Sequence, residues 1–101
     1  MTNETANTGI TLNKLAIECS RVAEEKGWKT DWTEGGSYLH LEASEFVESL
    51  RGKKGEPYKE LGDVMFVLLA MARDHNVSMI DVIDAMVVRH SLDVSKVQMP
   101  D

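Results

Sequence analysis

Apolar residues recur at helical spacing along four stretches of the chain, and no stretch alternates long enough to predict a sheet. From Thr11 to Lys26, Leu12, Leu15, Ala16, Cys19, Val22 and Ala23 fall on one stripe. Thr11 suits the N-cap of that helix and Gly27 its stop. From Ser37 to Leu50, Leu39, Ala43, Phe46, Val47 and Leu50 mark a second buried face. Pro57 fits the first position of a third helix, where its missing N–H costs nothing. That helix runs to about Asp74 and is apolar on all sides from Val64 to Ala72, which predicts a central place or a subunit interface. Ser78-Met79-Ile80-Asp81 resembles a capping box with Asp in the last position. It opens a fourth helix with Ile80, Ile83, Met86 and Val87 on one side. The expected class is all-α: an N-terminal segment over 1–10, one helical domain over 11–91 and a tail over 92–101.

Between the first two helices, Gly27 to Gly36 is a loop by composition, yet it holds both tryptophans, Trp28 and Trp32. A loop with two large aromatics is expected to fold back on the body of the protein. Arg51 to Glu56 is a short basic turn, so the second and third helices should be antiparallel neighbours.

At 101 residues the chain has room for one small domain. The net charge of −6 argues against a nucleic-acid grip, which needs a basic patch. The nine-residue apolar run is far short of the ~20 residues of a membrane span. One cysteine, Cys19, and no apolar leader over Met1–Gly9 predict a reducing, cytoplasmic setting. No Gly-rich phosphate loop, HExxH or CxxC is present.

The chemistry concentrates in carboxylates. Glu42 and Glu45 are three apart on the second helix, and Glu60 and Asp63 are three apart on the third. Residues at that spacing share a face. Across an antiparallel pair the two acidic pairs can face each other, and four such groups need protons or a cation between them. All-oxygen donors favour Mg²⁺, with Mn²⁺ as a substitute. Such pairs also occur on solvated helix faces with no function. The alternative to an enzyme is therefore a non-catalytic helical interaction module with an acidic surface.

Leu41-Glu42-Ala43-Ser44-Glu45, a 14-residue spacer, and Glu60-Leu61-Gly62-Asp63-Val64 together resemble the MazG family of all-α nucleoside triphosphate pyrophosphohydrolases. The apolar run after Asp63 and Glu24-Glu25-Lys26-Gly27-Trp28 add to the likeness. The chain departs from the family pattern before Glu42, where His40-Leu41 replaces a doubled acid. It departs again on the fourth helix, where Met86 and His90 replace Lys and Asn.

The resemblance implies cleavage of a (deoxy)nucleoside triphosphate between the α- and β-phosphates, giving the monophosphate and pyrophosphate, with a purine such as dGTP as the named guess. It implies Mg²⁺ held by Glu42, Glu45, Glu60 and Asp63. Glu45 is the choice for accepting a proton from the attacking water. Substrate contacts fall to Trp28, Trp32, Lys54, Arg89 and His90. Trp28 could equally plug the end of the first helix, and the cations have ordinary roles in a turn and at a helix C-terminus. A homo-oligomer, dimer or tetramer, is also implied. His40, His75 and Cys19 read as structural.

Overall fold

The computed structural model describes residues 8–28, 30–31 and 33–96. It contains four helices: α1 (Thr8–Glu25), α2 (Glu34–Leu50), α3 (Pro57–Asp74) and α4 (Met79–Arg89). One 3-10 turn follows at Val94–Lys96, within the segment expected to be tail. No strand occurs among the described residues. The all-α expectation holds.

α3 is the centre of the molecule, packed on both α1 and α2, while α4 lies chiefly on α1. The α1–α3 seam is built from small side chains. Ala16, Cys19 and Ala23 of α1 meet Leu69 and Ala70 of α3, with Phe66 and Met79 packed against them. Alanines on both helices let the backbones approach closely. Cys19 is thus core, and burial together with the neighbouring Glu18 carboxylate pushes its thiol pKa up, toward the inert form.

Two helix starts differ from expectation. α1 already runs through Thr11, so Thr11 is no cap. α2 begins three residues early, at Glu34, because the Asp31 carboxylate accepts from the N–H groups of Glu34 (2.7 Å) and Gly35 (3.3 Å). That cap satisfies first-turn donors and carries the helix through two glycines. Ser78 caps α4 as expected, its hydroxyl accepting from Ile80 N–H at 3.2 Å. Asn13 of α1 adds a second cap, accepting from Met79 N–H at 2.8 Å.

The apolar face of α4 is only half covered, with Ile83 and Val87 turned inward and no residue of the helix buried. Around α3, Leu61, Met65 and Leu68 form a stripe at i, i+4 and i+7 that is 43–48% exposed.

Candidate active site

Glu42 from α2 and Glu60 and Asp63 from α3 converge, each offering an oxygen within 4.8 Å of the others. Helix periodicity does the positioning. Glu60 and Asp63 lie on the face of α3 that meets α2, and Glu42 lies on the face of α2 that meets α3. The approach also depends on Gly55, whose φ is +81°. A Cβ there would lie 2.5 Å from Glu60 Oε2, so any other residue at this left-handed position would push that carboxylate aside.

Glu42 is half-buried, and its Oε1 is buried without a hydrogen bond. Burial raises its carboxyl pKa first of all. The charges of Glu45 and Asp63, a hydrogen bond with Glu45, and the Glu60 charge raise it further. A carboxylate with a bare buried oxygen and three acidic neighbours is a site built for a positive partner. The donor set, all carboxylate oxygens, fits a hard divalent cation.

Glu45 falls outside the three-carboxylate set but lies beside Glu42. It lines a separate exposed groove with Glu48, Lys54 and Glu60. Lys54 thus stands near the carboxylates, from the turn that joins α2 to α3.

Glu42 and Asp63 form the acidic end of a cleft of about 150 Å³ whose other walls are Trp28, Thr30, Tyr38, Phe66 and Val67. Trp28 is 43% exposed and forms one wall of this cleft. Its ring meets Phe66 edge-on at 5.7 Å, and Lys26 Nζ lies 4.8 Å from the ring centre. Trp28 folds back because its N–H donates to Ala23 O at 2.9 Å, closing the turn after α1. A metal-ready acidic end joined to an aromatic end matches the two halves of a nucleotide, phosphate and base.

A family model described as phosphoribosyl-ATP pyrophosphohydrolase matches residues 17–90. The chain belongs to this family. Phosphoribosyl-ATP pyrophosphohydrolases are MazG-like all-α enzymes, hydrolases of acid anhydrides that act on nucleotides and depend on divalent metal. The resemblance drawn from the two acidic motifs therefore stands. Comparison with curated proteins and with solved structures finds no match.

The match takes in α2, α3 and α4 whole, with the second half of α1. Arg89 and His90 sit at the far end of α4 and do not line the cleft, because α4 packs mainly on α1. Trp32 lies outside the described residues. Tyr38, Phe66, Thr30 and Val67 line the cleft beyond the residues that the sequence motifs single out. Tyr38 is four residues before Glu42 and Phe66 three after Asp63, so helical spacing from the acidic motifs was the available signal. Thr30, in a loop, had none. Among the described residues no helix is long and apolar enough to cross a membrane.

Proposed function

We propose that the chain hydrolyses a (deoxy)nucleoside triphosphate of the free nucleotide pool between the α- and β-phosphates, with a purine such as dGTP in the aromatic cleft. The observation that carries this reading is the bare, buried Oε1 of Glu42 beside Glu60 and Asp63, at the acidic end of a cleft walled by Trp28 and Tyr38.

Glu42, Glu60 and Asp63 would hold Mg²⁺ or Mn²⁺, with Glu45 as a further ligand in reach of Glu42. The ion supplies neutralisation of the carboxylates and of the phosphate charge that develops on bond breaking. The chain's own residues do the rest. Trp28 and Tyr38 offer ring faces to the base. Lys54 offers an ammonium to the polyphosphate. Glu45 accepts a proton from a water molecule. The water oxygen bonds to phosphorus, the bridging P–O bond breaks, and pyrophosphate leaves.

The family match favours a second substrate, phosphoribosyl-ATP, which is cut at the same anhydride but carries an additional ribosyl phosphate on its base. The surroundings of Trp28 support the simpler nucleotide. Away from the metal carboxylates its flank is lined by Glu24, Asp31 and Asp74, which repel a phosphate. Lys26 is the cation seen over the ring there among the described residues.

The cleft is smaller than the ~300 Å³ at which small-molecule pockets begin. The single chain also leaves apolar faces of α2 and α3 half covered. Val47 and Leu50 of α2 and Leu61, Met65 and Leu68 of α3 are exposed in the single chain. A second copy seated there would bury them, so a homo-oligomer belongs to the proposal. Arg89 and His90 would then act only from a neighbouring copy.

The test is pyrophosphate release from a panel of dNTPs, NTPs and phosphoribosyl-ATP with Mg²⁺. Glu42→Gln and Asp63→Asn should lower turnover at least ~100-fold with helicity unchanged. Glu45→Gln should lose ~10²–10⁴-fold as a missing base does. Wild-type rates in Glu42→Gln or Asp63→Asn would remove these carboxylates from the chemistry. Absence of pyrophosphate from every nucleotide would leave the interaction-module reading.

A further inference from the structure

One carboxylate outside the metal group joins α3 to both α1 and the loop that follows it. Asp74 is the last residue of α3, where the helix dipole disfavours negative charge. Its Oδ1 accepts from Ser20 Oγ at 2.5 Å, tying α3 to α1. Its Oδ2 accepts from the hydroxyl of Thr30, in the α1–α2 loop. A helix that carries acid at its unfavourable end, bound to two hydroxyls, is breaking a local rule for a tertiary purpose.

Thr30 is that purpose's other half. It is a polar loop residue only 7% exposed, whereas loop residues normally face water. Behind it the loop presses on the first turn of α2. A Cβ on Gly35 would lie 2.7 Å from Thr30 C and 2.8 Å from its Cα. Asp31, next in the chain, caps α2. The loop is thus clasped by α3 on one side and by α2 on the other. In front, Thr30 lines the same cleft as Trp28, Tyr38 and Glu42. Asp63 and Asp74 are eleven residues apart on one helix, about 16 Å along its axis. One rigid rod therefore carries part of the metal group near its start and the clasp at its end.

We propose that Asp74 is a positioning residue for the nucleobase end of the cleft, holding Thr30, and with it the loop that carries Trp28, at a fixed distance from the metal carboxylates. This rests on the nucleotide reading above. Asp74 touches neither the reacting phosphates nor the ion, so its loss loosens substrate binding and spares the chemical step.

The variants Asp74→Ala, Thr30→Val and Gly35→Ala are compared with Thr30→Ser, which keeps the hydroxyl. Gly36→Ala is the control, because a Cβ there meets nothing within 4 Å. Steady-state kinetics use the best nucleotide of the panel. Mn²⁺ titration without nucleotide reads the metal group alone, and Trp emission with nucleotide and Ca²⁺ reads binding. The first three variants should raise KM about tenfold, the size of one lost charge-assisted hydrogen bond. Their kcat should stay within about threefold of wild type, with Mn²⁺ affinity unchanged. Thr30→Ser and Gly36→Ala should keep the wild-type KM.

If Asp74→Ala fails to fold, Thr30→Val, nearly equal in shape, decides the matter. Unchanged KM in folded Asp74→Ala or Thr30→Val, or a fall confined to kcat, would overturn the positioning role. A wild-type protein that neither cleaves nor binds any nucleotide would overturn the nucleotide reading itself, and this inference with it.

Discussion

At Glu42 a half-buried carboxylate keeps one oxygen bare while Glu45, Asp63 and Glu60 crowd around it. The consequence for stability has a definite sign. Glu42's pKa is raised in the folded chain by burial and by those charges. Below the ordinary glutamate value, about 4.3, both folded and unfolded chains hold the proton and there is no penalty. As pH rises the unfolded chain ionises first, and stability falls until the folded-state pKa is passed. Above that the penalty is complete. Metal-free Glu42→Gln should therefore melt at a higher temperature than wild type at pH 7–8, with the gap closing toward pH 4. Mg²⁺ should reverse the order, since it stabilises only a folded chain that binds it. Thermal melts at two pH values with EDTA or Mg²⁺ check this. A wild-type protein that melts above Glu42→Gln in EDTA at pH 8 would show that the carboxylate is satisfied without an ion. The other ion pairs are minor at this scale. Arg21 bridges Glu18 (2.6 Å) and Glu25 (2.9 Å) in full solvent, where such pairs contribute little.

Among the elements, the α2–α3 hairpin makes the acidic group and the turns decide how well. Gly55 combines a left-handed φ with the passing Glu60 carboxylate. Gly55→Ala should cost about 1–3 kcal/mol of stability from the backbone alone. It should also weaken Mn²⁺ binding about 10–100-fold, as loss of a ligand's support does. Calorimetry for both quantities checks it, and unchanged Mn²⁺ affinity would mean that Gly55 does not hold Glu60 in its place at the metal group. The hairpin itself is readable in sequence, because Pro57 starts α3 and the acidic pairs follow helical spacing. The loop before α2 is not. Its shape comes from Asp31 capping α2, Thr30 bound to Asp74 and Trp28 edge-on to Phe66. The last two join residues 38 or more apart in sequence, which no local pattern encodes.

The whole molecule is a thin one. Its core cluster is mostly alanine and cysteine, and no large side chain is fully buried among the described residues. Small domains with so little core are ordinarily stabilised by association. In the proposed homo-oligomer, Leu68→Glu on the exposed stripe of α3 should shift the mass toward monomer and lower the melting temperature. Sedimentation at several concentrations reads both states. A wild-type monomer at tens of micromolar would remove the partner copy. The acidity of the chain also takes on a place at this scale. Glu42, Glu45, Glu60 and Asp63 account for four of the six excess negative charges, leaving −2 for the rest. Two divalent ions would neutralise those four.

The sequence by itself determined the helices and the pairing of acidic residues that marks the family, and it left the third helix either central or at a subunit interface. These follow from spacing of 3.6 residues per turn, which is local and covalent. Tertiary structure alone decided that Glu42, Glu60 and Asp63 converge as a trio with Glu45 beside them. It also decided that Tyr38 and Phe66 face the cleft with Trp28, that Arg89 and His90 stand away from it, and that Asp74 holds the loop. Each of these depends on the distance and rotation between helices. Those are set by which side chains pack, small ones along α1–α3 and bare glycines at Gly35 and Gly55, and not by any pattern within one element.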